Sequence, residues 1–126
     1  MKTAYDNKQI IENDKGWIFY DAAFKCWKKI YNNIKGDSVL DVGCGGGVSL
    51  ALIKVFNPFI KLTGMEGANS GNDIWKIRGL DIKVGDIYNL PFEDNSFDTV
   101  YTSHVLEHCE NPDQALLETV RVANKR

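Results

Sequence analysis

The sequence predicts an α/β fold in which a parallel sheet is flanked by helices. Short apolar runs alternate with segments of helical periodicity, which is typical of βαβ units. The first apolar run leads into a glycine-rich turn, and a helical segment follows. The chain of 126 residues is 44% hydrophobic and 25% charged, a balance typical of one globular domain. We therefore expect a single domain over residues 1–126, with an N-terminal helical region (1–36) and a core (38–126).

The N-terminal region carries large apolar residues at alternating spacings of three and four, which places them on one face of a helix. Gly36 and Asp37 should end this helix, because glycine readily adopts a left-handed cap. The apolar face either packs against the core or forms a lid or substrate wall. It consists of Trp17, Tyr20, Phe24, Trp27, Tyr31 and Ile34.

The core should begin with strands and helices in alternation. Right-handed crossovers place the first three strands side by side and then reverse, which predicts a parallel sheet of order 3-2-1-4. The strands are expected at Ser38–Val42, Phe59–Met65 and Leu80–Val84 and within Asn95–Thr102. The helices between them are expected at Val48–Phe56 and Asn72–Arg78.

A last helix should start at Asn111. Asn111 can cap it, Pro112 suits the first helical position, and Gln114 can complete a capping box. Its apolar face is expected to consist of Leu116, Leu117 and Val120.

The strongest motif is the glycine-rich turn after the first strand, Asp41-Val-Gly-Cys-Gly-Gly-Gly47. A helix that starts there offers free N–H groups to a carboxylate or a phosphate. The spacing is G-x-G-x-G rather than the dinucleotide pattern G-x-G-x-x-G, whose third glycine is replaced by Val48. Asp41 would repel a pyrophosphate but attract an ammonium or sulfonium group. The alternative is a plain glycine-rich turn without a ligand.

Two further carboxylates follow the next two strands. Glu66 ends the second strand and Asp86 ends the third, and the carboxyl ends of parallel strands form a ligand crevice. Glu66 could accept both hydroxyls of a ribose, and Asp86 could accept an adenine amino group. Each could instead be an ordinary loop residue.

These motifs resemble those of the class I S-adenosylmethionine-dependent methyltransferases, most closely their small-molecule branch of type 11-like enzymes. The resemblance implies a Rossmann-like sheet. It covers residues 38–126 and is silent on the methyl acceptor. The motifs are Asp41–Gly47, Gly64–Glu66, Gly85–Ile87, Leu90–Val100 and His104–His108.

The resemblance implies S-adenosylmethionine as cofactor, with S-adenosylhomocysteine as product, above the carboxyl ends of strands one and four. The transferable methyl group should lie near Ser103 and His104. The remaining implied contacts are Gly43, Cys44 and Gly45 for the methionine part, Asp41 for its amino group, Glu66 for the ribose, Asp86 and Ile87 for the adenine, and Gly67 beside them.

His104 is the best candidate for a general base, because imidazole ionises near neutral pH. It could instead hydrogen-bond a loop. Glu107 and His108 are interpreted as structural. Three separated cysteines and the absence of ligand spacings argue against a metal site.

Charge and hydropathy narrow the range of partners. The net charge of −2 predicts neither a nucleic-acid nor a membrane partner, and no apolar run approaches the ~20 residues of a spanning helix. We expect a cytoplasmic protein that acts on a small molecule.

Relatives of this family continue beyond the position of Arg126 into a fifth strand and two more. The strand at 97–102 is therefore expected to be a sheet edge through which the chain self-associates. The alternatives are that the chain is marginally stable and poorly active, or that the N-terminal aromatic helix covers the edge. Two other functions remain open, a module that binds the cofactor without turnover and a nicotinamide-dependent oxidoreductase.

Overall fold

The computed structural model describes residues 21–103 and 105–125, and side chains at 21–26 and 70 are outside the description. The helices are α1 (Asp21–Asn32), α2 (Val48–Phe56), α3 (Asn72–Arg78) and α4 (Pro112–Val122). The strands are β1 (Ser38–Val42), β2 (Lys61–Glu66), β3 (Asp81–Val84) and β4 (Thr99–Thr102).

The four strands form one parallel sheet of order β3-β2-β1-β4, which confirms the predicted order and direction. Val42 at the end of β1 is in register with Met65 of β2 and with Thr102 of β4. Met65 is in turn in register with Lys83 of β3. The carboxyl ends of all four strands therefore meet at one edge of the sheet.

The elements β1, α2 and α3 have the predicted bounds, and β4 lies within the predicted range. The strand β2 starts two residues later than predicted and ends one residue later, and β3 starts one residue later. Phe59 is 91% exposed in the turn before β2, where its N–H donates to Asn57 Oδ1 at 3.3 Å. Leu80 precedes β3 because its N–H still donates to Trp75 O at the end of α3. These two local hydrogen bonds account for the later starts of β2 and β3.

The helix α1 packs on α2 through the described part of its aromatic face. Trp27 is buried, and its ring centroid lies 5.0 Å from that of Phe56 and 5.5 Å from that of Tyr31. This favours the core-packing interpretation for the described part. Trp17, Tyr20 and the Phe24 side chain lie outside the described residues. The helix ends at Asn32 rather than Ile34.

The principal core lies on one face of the sheet. Its buried members come from β1 and β2, from the segment between β3 and β4, and from the end of α4. They are Leu40, Val42, Met65, Leu90, Phe97 and Val122. On the other face, Leu50 and Ile53 of α2 are fully buried.

The start of α4 differs in part from the predicted capping box. Asn111 Oδ1 accepts the Gln114 N–H at 3.2 Å, as expected for a cap. The Gln114 side chain does not complete the box: its Nε2 donates to Tyr88 O at 3.5 Å, and the Asn111 N–H donates to Tyr88 Oη at 3.2 Å. Tyr88 therefore accepts the Asn111 N–H bond that the Gln114 side chain would accept in a capping box.

The predicted apolar face of α4 does not face the core. Leu116, Leu117 and Val120 are 48%, 64% and 51% exposed. The face towards the sheet instead carries two apolar and two polar side chains at helical spacing, namely Ala115, Val122, Glu118 and Thr119.

A polar network lies beside the buried apolar side chains on the inner face of α4. Arg121 donates to Glu118, to Asp94 at 2.8 Å, and to the carbonyls of Phe92 and Leu90 at 2.9 and 3.0 Å. Glu118 Oε1 also accepts the Leu90 N–H at 2.7 Å. The bond from Arg121 lowers the pKa of Glu118, and the two carboxylates raise the pKa of Arg121. The network fixes the loop before β4 to the helix.

The edge at β4 is partly covered. The Phe97 N–H donates to Val122 O at 3.1 Å, and Phe97 O accepts the Asn124 N–H at 2.7 Å. The expectation that the free edge begins at Phe97 was wrong, because residues 122–124 pair with it. Among the described strands, Thr99–Thr102 pairs only with β1.

Over the described ranges, every helix is too short or too polar to cross a membrane.

Candidate cofactor site

A cavity of about 420 Å³ lies at the carboxyl edge of the sheet. The loops after β1, β2 and β3 form one side of it, and the segment after β4 forms the other. The lining residues are Gly43, Met65, Glu66, Gly67, Gly85, Asp86, Ile87, Tyr88, Val105, His108 and Cys109.

The loop after β1 has a backbone that only glycine adopts readily. Gly43, Gly45 and Gly47 have φ angles of 76°, 55° and 81°. The N–H groups of Gly43 and Cys44 both donate to Met65 O, at 2.7 and 3.0 Å, which folds the loop over the end of β2. A Cβ at Gly43 would lie 2.5 Å from Val105 Cγ2, so a side chain there would intrude between the two walls of the cavity.

Two side chains of α3 hold the carbonyls of this loop. Trp75 Nε1 donates to Gly45 O at 2.8 Å, and Arg78 donates to Gly46 O. The sequence interpretation missed both residues. Their position on a short helix between β2 and β3 was visible, but no local pattern indicated which loop they reach.

Glu66 connects the loops after β1 and β2. Its Oε2 accepts the Gly45 N–H at 2.6 Å, and its Oε1 accepts the Gly67 N–H at 2.8 Å. The Gly85 N–H donates to the backbone carbonyl of Glu66 at 2.9 Å, which brings the third loop to the same point. The carboxylate therefore sits where three loops converge.

The loop after β3 closes the far end of the cavity. Asp86 Oδ1 accepts the Tyr88 N–H at 2.9 Å, and Ile87 and Tyr88 line the wall beside it. The Tyr88 hydroxyl accepts the Asn111 N–H, so this wall is tied to the start of α4. Tyr88 was not among the predicted site residues.

Asp41 lies beneath the glycine loop rather than on the cavity wall. It is 5% exposed, and its Oδ2 accepts the Tyr101 hydroxyl at 3.0 Å. Burial raises the pKa of Asp41 to about 7, and the negative charge of Glu66 adds to this, while the bond from Tyr101 opposes it. Burial likewise raises the pKa of Cys44, so that this residue remains a neutral thiol.

The structure therefore brings five predicted residues to the cavity, namely Gly43, Glu66, Gly67, Asp86 and Ile87. Asp41, Cys44, Gly45 and Ser103 do not line it. His104 lies outside the described residues.

The wall opposite the glycine loop was not predicted as part of the site. It consists of Val105, His108 and Cys109, around a turn of 3-10 helix at Leu106–His108. His108, interpreted from the sequence as structural, lines the cavity with an exposed imidazole. The position of His108 shortly after the fourth strand was the sequence feature that could have predicted it as a lining residue.

A parallel sheet with a glycine turn and acidic residues at its carboxyl edge defines a Rossmann-like cofactor-binding protein. Residues 40–126 match the family described as methyltransferase domain. The chain belongs to this family, the class I S-adenosylmethionine-dependent methyltransferases, as its motifs predicted.

Named relatives include two enzymes with stated acceptors. The chain is 35% identical over 98 residues to norajmaline N-methyltransferase of Rauvolfia serpentina, covering 71% of this chain and 33% of that enzyme. It is 35% identical over 107 residues to demethylmenaquinone methyltransferase of Lactobacillus johnsonii, covering 75% of this chain and 44% of that enzyme. The chain thus spans less than half of these relatives.

Solved structures share the fold. The [4+2]-cyclase SpnF matches with a TM-score of 0.70 and 28% identity, over 82% of this chain and 41% of that one. A protein of Pyrococcus horikoshii matches with a TM-score of 0.71 and 24% identity, over 90% of this chain and 52% of that one. The second match supports the fold alone.

Proposed function

We propose that the chain binds S-adenosylmethionine at the carboxyl edge of the sheet and transfers its methyl group to a small organic acceptor. The observation that carries the proposal is the position of Glu66, whose carboxylate joins the glycine loop to the turn at Gly67 on the wall of the cavity. Family membership supports the cofactor, and the names of the relatives support a small acceptor.

The side chains fit such a cofactor chemically. It carries a sulfonium and an ammonium group. The carboxylates of Glu66 and Asp86 line the cavity, and that of Asp41 is buried beneath the glycine loop. Gly43 lines the cavity opposite Val105, and a Cβ at this position would collide with Val105 Cγ2. The donor set therefore suits a cation better than a pyrophosphate.

Each residue then has a proposed role. Asp41 takes the ammonium group, directly or through water, and Glu66 takes the ribose hydroxyls beside Gly67. Asp86 and Ile87 hold the adenine ring. Gly43, Cys44 and Gly45 surround the methionine part, and Ser103 and His104 lie near the reacting methyl group.

When bound, the cofactor supplies an electrophilic methyl group for an in-line displacement. The chain's own residues align the acceptor and exclude water, which is the main requirement when the leaving group departs neutral. Proton removal is needed only when the nucleophile of the acceptor holds its proton tightly. We propose His104 for that role.

A transfer assay tests the proposal. The chain is incubated with cofactor labelled in the methyl group and a panel of amines, phenols and quinols. Label in an organic product, lost with Gly43→Val, is the expected result. The absence of transfer with retained cofactor binding would favour the second candidate below.

The second candidate is a cofactor-binding domain without methyl transfer. SpnF, a solved structure with the same fold, has a stated activity other than methyl transfer, a [4+2] cyclisation, which is the reason to keep this candidate. The transfer assay separates the two candidates, since both require the cofactor to bind but only the first moves label.

Removing the Glu66 carboxylate should weaken cofactor binding. We expect Glu66→Ala to cost roughly 1–3 kcal/mol of binding free energy, because the ribose hydroxyls would lose a charged acceptor. Calorimetric titration with S-adenosylhomocysteine measures this. Glu93→Ala, which removes an exposed loop carboxylate, is the control and should bind normally. Equal affinities of the two variants would mean that Glu66 only shapes the loop.

We also expect the 126-residue chain to self-associate. Thr99–Thr102 presents an edge, and α4, which packs on β4, exposes Leu116, Leu117 and Val120. Light scattering should detect dimers or larger species, and Leu117→Glu should reduce them. Ile77→Glu, on the exposed surface of α3, is the control. A thermally stable monomer whose β4 amides exchange quickly would contradict this expectation.

A further inference from the structure

Asp41 and Tyr101 form a buried polar pair beneath the glycine loop. They are partners in register on the adjacent strands β1 and β4, so their side chains lie on the same face of the sheet. The Tyr101 hydroxyl donates to Asp41 Oδ2 at 3.0 Å. Asp41 lies two positions before Gly43 in the chain, and Gly43 lines the cavity.

The surroundings of this pair disfavour a charge on Asp41. Its carboxylate is buried, and the groups that act on it are the Tyr101 hydroxyl and the carboxylate of Glu66. The neighbouring Cys44 is a neutral thiol whose pKa is raised by burial and by Asp41. Basic side chains of α2 and α3 bond to backbone carbonyls elsewhere, since Lys54 donates to Gly79 O and Arg78 to Gly46 O. A buried carboxylate in such a place is costly for the fold.

We propose that Tyr101 is a positioning residue that holds the Asp41 carboxylate in place beneath the glycine loop as the acceptor for the cofactor's ammonium group. This inference rests on the proposed function. It adds a residue on β4 that does not touch the cofactor but determines how Asp41 binds it.

The proposal predicts a specific pH dependence. The pKa of Asp41 is raised to about 7 by burial and Glu66, and the bond from Tyr101 lowers it. Without that bond the carboxyl group should hold its proton to higher pH. An upward shift of about one pH unit would reduce its ionised fraction at pH 7 roughly fivefold, and affinity for an ammonium group would fall in proportion.

The test is the affinity of the whole chain for S-adenosylhomocysteine, measured by calorimetry from about pH 6 to about pH 9. The wild type should bind more weakly as the pH falls through about 7, the pKa of Asp41. Tyr101→Phe should move this transition to higher pH, with a loss of roughly fivefold at neutral pH that shrinks at high pH. Tyr31→Phe, which alters a tyrosine packed between α1 and α2, should keep the wild-type profile.

Three outcomes would overturn the inference. A Tyr101→Phe profile that coincides with the wild type would do so, as would a loss that is uniform across the pH range, which indicates a merely structural role. So would an Asp41→Asn variant that keeps the wild-type pH dependence, a check that holds even if Tyr101→Phe folds poorly.

Failure of the proposed function looks different. The wild type would then bind no S-adenosylhomocysteine at any pH. Carbon-13 NMR of the ligand-free chain distinguishes failure of the proposed function from failure of the Tyr101–Asp41 coupling, because it follows the ionisation of the Asp41 carboxyl group without any ligand. A titration unchanged by Tyr101→Phe would contradict the coupling itself.

Discussion

Asp41→Asn should stabilise the ligand-free protein at about pH 8 while weakening cofactor binding. The folded-state pKa of Asp41, about 7, lies above its ordinary value of 3.8. The carboxyl group therefore favours the fold below the ordinary value, and this contribution is lost as the pH rises through about 7. Asparagine cannot ionise, so the variant avoids the loss. We expect a gain of about 2–4 kcal/mol at high pH, since one pKa unit corresponds to about 1.4 kcal/mol.

Denaturant unfolding at about pH 5 and about pH 8 measures this effect. The difference between variant and wild type should be larger at the higher pH. Asp98→Asn is a control of opposite sign, because N–H bonds from Asp37 and Asn124 lower the pKa of Asp98. That variant should be less stable than the wild type at the higher pH. A gain for Asp41→Asn that is the same at both pH values would mean that Asp41 stays ionised throughout.

Gly43→Val should abolish measurable cofactor binding. Gly43 has a φ angle of 76°, which a branched side chain adopts only at a cost of about 1–3 kcal/mol. The new Cβ would meet Val105 Cγ2 at 2.5 Å and push the two walls of the cavity apart. We expect the fold to survive with reduced stability, because the change lies at the edge of the sheet. The loss of affinity should exceed about 100-fold.

The matched control for this variant is Gly67→Ala. Nothing lies within 4 Å of a Cβ at Gly67, and its φ angle is not positive. Its stability should therefore equal that of the wild type. Gly45→Val should resemble Gly43→Val, since Gly45 has a φ angle of 55° and donates its N–H to Glu66. A folded Gly43→Val protein that binds the cofactor normally would refute the placement of the loop.

Local signals predicted much of the fold. The bounds of β1, α2 and α3 follow from apolar runs bounded by glycine and proline, and the strand order follows from the handedness of the crossovers. The orientation of α4 did not follow, because three of its large apolar residues are exposed whereas Glu118 and Thr119 are buried. Glu118 and Arg121 satisfy each other and the backbone before β4, so a polar face could be buried there.

The candidate site likewise contains residues that could be predicted from the sequence and contacts that could not. Gly43, Glu66, Gly67, Asp86 and Ile87 follow strands directly, so the sheet brings them together once the order is known. The bonds that hold the glycine loop and Asp41 could not be predicted. The Tyr101–Asp41 bond joins residues 60 positions apart, and the Trp75–Gly45 bond joins residues 30 apart. Both depend on tertiary packing that no local pattern records.

Binding of the cofactor product tests the central claim most directly. Calorimetric titration of the chain with S-adenosylhomocysteine and, separately, with NAD⁺ compares the two ligands that a Rossmann-like site could hold. We predict saturable binding of S-adenosylhomocysteine at a single class of sites and no heat of binding with NAD⁺. Binding of NAD⁺ in place of S-adenosylhomocysteine would contradict the account, as would the absence of S-adenosylhomocysteine binding by the folded chain.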